Sequence, residues 1–374
     1  MSRLVPIFLT THAPAWLVCL ALAACGGSGG GDAPPAPTAS PQAPGEPTLL
    51  SGHPSQLGCV DGPAARARLS SPQGLALDAN GDLLVADPGC SAIRRVARDG
   101  TVSTFAGRLG IAGDQQGPRE QVRLRAPFGL AIEPGTGNVF VTDNEAHRLL
   151  RIQASDGAVV SLMGTGAAGA TTVGAIPAGQ PGAGTDPYGL PRRRQDRAAL
   201  DHPTFIAPMA AASPEGESLI EFVDAGNQLT QQVRREPSST PVIVSSRDNC
   251  QGLLTATTST APLICSRSTT IGASLRDGQP TITLAGRQNF RADTDGIGDQ
   301  ARFLGSTGLA QATGTRLWVA DRELLRELDI GSGEVRTVLR GLDRVGTPRQ
   351  IVLSADGRTL FFTTPTGIGR VLLP

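Results

Sequence analysis

Lysine is absent. All 33 basic residues of this 374-residue chain are arginine, and 33 acidic residues balance them to a net charge of zero. Such a chain carries no electrostatic footprint for a polyanion, so nucleic acid is not an expected partner. Aromatic residues make up only 3%, which leaves few platforms for stacking bases. Histidine is scarce, four in all, and neither His-Glu-x-x-His nor Cys-x-x-Cys occurs; the usual zinc-protease and zinc-ribbon spacings are therefore missing. No apolar run reaches the roughly 20 residues of a spanning helix. What the chain does have is glycine (47), proline (29) and 39% hydrophobic residues, enough for a sizeable core punctuated by many turns.

The N-terminus reads as an export signal. Residues 1–24 carry Arg3 and an apolar stretch interrupted by His12 and Pro14, and they end in small residues before Cys25. Leu22-Ala23-Ala24-Cys25 resembles a bacterial lipobox. That resemblance implies cleavage before Cys25, with lipids on its thiol and new amino group, and several acyl chains are what stable anchoring needs. Gly26 rather than Asp follows the cysteine, which for a Gram-negative lipoprotein implies the outer membrane, facing the periplasm. Residues 25–47, rich in Gly, Ala and Pro, form a tether. Cys19 falls in the signal, so Cys59, Cys90, Cys250 and Cys265 remain for two disulfides in an oxidising compartment, with three connectivities.

From Gln73 to Gly107 four short apolar runs alternate with turn signals: Asn80-Gly81, Asp87-Pro88-Gly89 and Asp99-Gly100. This is a four-stranded antiparallel meander. Its Pro72-x-Gly74-Leu75-Ala76 start, Val85-Ala86-Asp87 strand end, Ile93-Arg94-Arg95-Val96 strand and Phe105-Ala106-Gly107 close resemble an NHL repeat, the blade of a class of β-propellers. The start recurs at Phe128-Gly129-Leu130-Ala131, Thr204-Phe205-Ile206-Ala207, Gln251-Gly252-Leu253-Leu254, Thr307-Gly308-Leu309-Ala310 and Arg349-Gln350-Ile351-Val352. Spacings of 55, 76, 47, 56 and 42 residues suit propeller blades. The expected fold is an all-β, six-bladed propeller over residues 48–374. The last unit stops after a third strand, and Thr48-Leu49-Leu50-Ser51-Gly52 has the pattern of a fourth, so the N-terminal strand is expected to close the ring. The long second spacing reflects an insertion, about 164–199, that ends in Arg192-Arg193-Arg194.

Within such blades Cys250 precedes a first strand and Cys265 ends the second, while Cys59 and Cys90 flank the corresponding part of the first blade. The expected pairs are Cys59–Cys90 and Cys250–Cys265. Gly26 to Gly30 fits the Gly-x-Ser-x-Gly nucleophile pattern, and Gly164 to Gly169 fits Gly-x-Gly-x-x-Gly. Both lie in low-complexity sequence without the strand-to-helix context the chemistry needs. Asp87, Asp143, Asp224 and Asp321 recur at one blade position, as a turn cap would.

The residues that open each inner strand come nearest a propeller's channel: Gln73, Phe128, Thr204, Gln251, Thr307 and Arg349. The resemblance includes enzymes, namely calcium-dependent lactonases and esterases with Asp, Glu and Asn around a channel metal, and a peptidyl-hydroxyglycine lyase with zinc-binding histidines. None of the six positions is a carboxylate, and His53, His147 and His202 are scattered, so no metal and no cofactor is expected. Amides, hydroxyls and Arg349 suit a small polar or anionic ligand, with Arg349 for a carboxylate or else for a neighbouring blade's carbonyls. The function expected is a ligand- or protein-binding scaffold, lipid-anchored in the cell envelope, with an envelope protein or a small ligand as partner. The alternative is a metal-dependent propeller hydrolase or lyase.

Overall fold

A computed structural model describes residues 43–169, 200–208, 219–227, 229–234, 242–246, 252–255, 263–274 and 282–374. The chain divides into two units, Met1–Pro41 and Gln42–Pro374; all described residues belong to the second. The proposed signal, Cys25, most of the tether, Cys250, Gln251 and most of the insertion lie outside the described residues.

Strand β1 (Thr48–Gly52) comes first. The next four, β2 (Leu75–Leu77), β3 (Leu83–Asp87), β4 (Ala92–Val96) and β5 (Val102–Gly107), form one sheet. A second sheet holds β6 (Gly117–Pro118), β7 (Pro127–Ile132), β8 (Val139–Asp143), β9 (Arg148–Ile152) and β10 (Ala158–Met163). A third holds β11 (Pro203–Pro208), β12 (Leu219–Asp224), β13 (Leu229–Arg234) and β14 (Val242–Ser246), and a fourth β15 (Gly252–Thr255), β16 (Leu263–Ser266), β17 (Thr270–Ser274) and β18 (Ile282–Gly286). The fifth comprises β19 (Gly296–Ile297), β20 (Ser306–Gln311), β21 (Arg316–Asp321), β22 (Leu324–Asp329) and β23 (Glu334–Arg340). In the sixth, β24 (Ile351–Leu353), β25 (Thr359–Thr363) and β26 (Gly367–Leu372) are completed by β1, paired antiparallel with Thr48 opposite Arg370 and Gly52 opposite Gly367.

Each inner strand begins within two residues of the repeated motif, and the second strands expected to close on aspartate end at Asp87, Asp143, Asp224 and Asp321. The two-residue strands β6 and β19 are additions. Each pairs with the outermost strand of its own sheet, and a two-residue segment has no periodicity by which a sequence could announce it.

Second strands sit between neighbouring sheets, so both of their faces are covered; all five residues of β3 and of β8 are buried. That accounts for their nearly unbroken apolar runs. Buried clusters fill the space between consecutive sheets. Leu84, Ile93, Leu130 and Val141 join the first to the second, and Ala131, Phe140, Ile206 and Phe222 join the second to the third. Leu50 and Ile368 meet Leu75, Val85 and Val96, which packs the last sheet against the first. At about 1.5–3 kcal/mol per buried Leu, Ile or Val, this aliphatic packing needs little aromatic bulk.

Cys59 and Cys90 are joined in a disulfide, which ties the segment before β2 to the turn after β3. Cys265, buried in β16, is also disulfide-bonded.

Around the centre the inner strands approach one another to backbone contact. Gly74 N–H donates to Phe128 O at 2.8 Å, and a Cβ on Gly74 would lie 2.4 Å from that oxygen. On Gly129 it would lie 2.2 Å from Thr204 O, and on Gly308 2.4 Å from Arg349 O. Only glycine fits, because the obstacle is main chain and cannot swing aside. Gly129→Ala should therefore cost more than about 3 kcal/mol or abolish folding, whereas Gly305→Ala, whose Cβ would meet only the Arg322 side chain at 3.6 Å, should stay within about 1 kcal/mol. Chemical denaturation of both variants checks the contrast.

Candidate functional site

The inner strands enclose a central cavity of about 420 Å³. It runs their length, from Gly74 to Leu77, Gly129 to Ile132, Phe205 to Ala207, Leu309 to Gln311 and Gln350 to Leu353. Its described walls are apolar apart from Gln311 and Gln350. The Gln311 amide is turned aside, donating to Gly314 O and Arg316 O. Gln350 Nε2 is buried and has no hydrogen-bond partner.

Of the residues at the starts of the inner strands, Arg349 takes the second of its two expected roles, bonding carbonyls of a neighbouring blade. Arg349 donates from Nη1 to Ser71 Oγ at 3.0 Å and to the Ser71 and Pro72 carbonyls. It thereby latches the sixth sheet to the first, and burial pulls its guanidinium below the ordinary value. Thr307 Oγ1 donates to Pro348 O at 3.3 Å, a bond from fifth sheet to sixth. The carbonyl of Gln73 accepts from Thr363 Oγ1 at 2.9 Å, and the carbonyl of Thr204 accepts from Thr142 Oγ1. Phe128 stacks edge-on against Phe205, centroids 5.4 Å apart. Gln251 lies outside the described residues. These groups stitch blade to blade.

Thr142 and Thr363 could have been noticed from sequence, since each immediately precedes the strand-end position occupied by the repeated aspartate or, in the sixth sheet, by Thr364. Each hydroxyl accepts a backbone N–H from its own inner strand (Gly129 at 2.7 Å, Gln350 at 3.1 Å) and donates across to the next.

The repeated aspartates reach back as well as forward, Asp143 also accepting from Ala146 N and Asp224 from Asn227 Nδ2 in the turns that follow. Asp87 Oδ1 accepts from Ser70 N at 2.9 Å, Asp143 from Arg125 N and Ala126 N at 3.0 and 2.8 Å, Asp224 from Asp201 N at 2.7 Å and Asp321 from Gly305 N at 2.7 Å. Each fixes the segment that leads into its own inner strand, at Asp143 and Asp224 in addition to the expected cap on the turn that follows. In the first and fifth sheets a fully buried arginine extends this anchor. Arg94 binds Asp87 at 3.3 Å and also Asp61, which in turn accepts from Thr104 N and Oγ1. Arg326 binds Asp321 at 3.2 Å and Asp295 at 2.7 Å, and Asp295 accepts from Thr337 N and Oγ1. The signal for this pair was the Asp-Gly at 61–62 and 295–296, in each case the same distance ahead of Gly74 and Gly308.

Two histidines that the sequence keeps far apart meet between the second and third sheets. His147 and His202 rings stand edge-to-face with centroids 4.6 Å apart, and Asp201 Oδ1 lies 2.6 Å from His202 Nδ1 and 3.8 Å from His147 Nδ1. Burial, then the neighbouring His202, hold the His147 imidazole below its usual pKa, against the opposing pull of Asp201.

Residues 51–172 match the family model described as the Teneurin NHL domain. Over 93 residues the chain is 37% identical to Teneurin-3 of Mus musculus, which covers 23% of this chain and 3% of that protein. It is 30% identical over 108 residues to Teneurin-m of Drosophila melanogaster, covering 28% and 4%. The chain thus spans only 3–4% of the length of these curated relatives. Among solved structures, a protein of unknown function from Bacteroides thetaiotaomicron superposes with TM-score 0.59 at 15% identity, covering 87% of this chain and 75% of the other. An auxiliary nutrient binding protein from the same organism gives 0.56 at 12%, covering 87% and 76%, and a gluconolactonase from Xanthomonas campestris gives 0.51 at 16%, covering 89% and 99%. At these identities the likeness is one of fold. The chain has the β-propeller fold, and its residues 51–172 are similar to the Teneurin NHL domain.

Burial raises the carboxyl of Asp143 to about 6, against the lowering effect of its backbone hydrogen bonds. The folded state therefore holds a proton between about pH 4 and 6 that the unfolded chain has released. The stabilisation from this group is present in full below about pH 4 and is lost as pH rises through 6, a change of about 3 kcal/mol. Asp143→Asn should flatten that part of the stability profile in urea titrations from pH 4 to 7, whatever its effect on the baseline.

Proposed function

We propose that this chain is a binding module: an NHL-like propeller, lipid-anchored through Cys25 in the envelope of a Gram-negative bacterium, that holds a small ligand in its central cavity. The supporting observation is the cavity itself. About 420 Å³ lies within the range of small-molecule sites, and apolar walls with very few polar groups are the usual lining. Gln350 is the polar residue of the wall whose amide is not bonded to another strand, its Nε2 being buried without a hydrogen-bond partner. An occupant with a largely apolar body suits these walls. The outer faces of the ring are left for an envelope protein.

The cavity is tested with 1-anilinonaphthalene-8-sulfonate, an aromatic sulfonate whose apolar rings fluoresce when removed from water. The native chain should bind about one equivalent. Val352→Trp, which places a larger ring at a half-buried wall position, should weaken binding at least tenfold while leaving the cooperative unfolding transition in place. Failure to saturate, or indifference to the substitution, would remove the cavity from the function. Chelator-sensitive hydrolysis of a chromogenic ester would favour a metal-dependent hydrolase in its place.

Anchoring is tested separately. Cys25→Ala should abolish incorporation of labelled palmitate and move the protein out of the membrane fraction. Retention of the label would place the lipid elsewhere.

A further inference from the structure

We propose that His147, Asp201 and His202 form a binding site for a zinc-class divalent cation at the junction of the second and third sheets. One ligand atom from each of the three side chains lies within 4.8 Å of the other two. Nitrogen and oxygen ligands around a zinc ion at about 2.0–2.2 Å stand roughly 3.3 Å from one another. The observed separations, 2.6 Å from Asp201 Oδ1 to His202 Nδ1 and 3.8 Å to His147 Nδ1, fall on either side of that value, so small side-chain rotations suffice. Two imidazoles and one carboxylate select borderline cations such as zinc, cobalt(II) or nickel over calcium or magnesium, which take oxygen ligands.

The site is held by the backbone. His147 lies in the turn after β8 and His202 just before β11, both with φ of 50°. That conformation belongs to the repeat: Ser91, Ser268 and Arg322 adopt it in the corresponding turns, and Ser71 adopts it ahead of β2. Only this junction, among those described, puts histidine at both places. Asp201 is fixed as well. Its N–H is bound by buried Asp224, its carbonyl accepts from Gly226 N at 2.8 Å, and Gly226 packs so closely that a Cβ there would lie 2.2 Å from the carboxylate. Gly89 and Ser70 repeat that arrangement in the first sheet with a hydroxyl in place of the carboxylate. The side chain of His147 is 12% exposed and that of His202 53%, so the cation has a buried ligand beneath it and an approach from solvent.

Metal binding exchanges two contacts for three coordinate bonds. The His202 Nδ1 to Asp201 hydrogen bond opens, and His147 Nδ1 gives up the 3.1 Å bond it accepts from His202 N–H, which water then takes at an exposed position. Three protein ligands leave a coordination position for water. None of the three residues lines the central cavity, so this site and the ligand cavity stand or fall independently.

Cobalt(II) reports such a site by its visible ligand-field absorption. The full chain, oxidised and without a polyhistidine tag, is titrated with cobalt(II) and then with zinc. One saturable equivalent, displaced by zinc, is expected. His147→Ala and the exposed-side variant His202→Gln should each weaken it by at least about 100-fold, while His53→Ala leaves it unchanged. Melting curves in EDTA establish that the variants fold, and His202→Gln keeps the test valid if His147→Ala does not. Zinc should raise the melting temperature of the native chain and not that of His202→Gln. Absence of a saturable equivalent, or one that survives His202→Gln in a folded chain, overturns the proposal.

Discussion

Close approach of the inner strands is the constraint on which the rest of this molecule depends. Six twisted sheets closing around an axis crowd most at their first strands, where there is least room for side chains. The chain meets that crowding with glycine at 74, 129 and 308, each facing a carbonyl of the next sheet at a distance no Cβ tolerates. Backbone polarity there has to be satisfied between sheets, since the ladder inside a sheet has only one neighbour for its first strand. In one place the glycine N–H does this directly, from Gly74 to Phe128. Elsewhere a threonine hydroxyl is interposed, from Thr142 to Thr204 and from Thr363 to Gln73. The last of these spans the two ends of the ring and works beside the β1–β26 pairing, so closure is achieved at the centre as well as at the rim.

The same crowding explains why so many polar groups are buried in a protein of this composition. A segment must pass from the rim of one sheet to the centre of the next, and its N–H groups arrive where water does not. The aspartate that ends the second strand accepts them. Burial raises its carboxyl, to about 6 for Asp87 and Asp143, so the anchor carries a desolvation cost. In the first and fifth sheets Arg94 and Arg326 offset part of that cost and reach outward to a second aspartate. In the second sheet Leu150 stands opposite Val141, as Arg94 stands opposite Val85 and Arg326 opposite Val319, and Gln116 replaces the outer aspartate before Gly117. Arginine and outer aspartate are thus present together or absent together, as expected when either alone would leave a buried charge unpaired.

Element positions were legible because they rest on local chemistry. Glycine at a fixed place in four of the inner strands, Asn-Gly and Asp-Gly turns, and an aspartate closing four of the second strands are properties of a few adjacent residues. The six starts and the strand that closes the ring followed from them. The roles of Gln73, Thr307 and Arg349 were not legible, because an amide, hydroxyl or guanidinium near a channel looks the same whether it faces a ligand or a neighbouring carbonyl. Only the relative rotation of adjacent sheets decides, and it turned Arg349 onto Ser71 and Pro72. Gln350, one residue further on, is among the residues that line the cavity.

The meeting of His147 with His202 belongs to this second kind of information. The two residues come from different repeats and are separated by the insertion, so no spacing rule links them. Yet the places they occupy recur in other repeats: a left-handed residue follows the second strand at Ser91, Ser268 and Arg322, and another leads into an inner strand at Ser71. Serine fills such places in the first sheet, where Ser91 Oγ bonds the Arg125 carbonyl leading into the second. These backbone positions lie between sheets and their side chains bond across the junction, Ser91 Oγ to the Arg125 carbonyl and Ser71 Oγ to Arg349. New chemistry can appear there by substitution alone, without disturbing the glycines and aspartates that hold the ring. An imidazole at each position, with a carboxylate already fixed by the anchor of the third sheet, is the smallest such change that converges three metal-ligating atoms on one point.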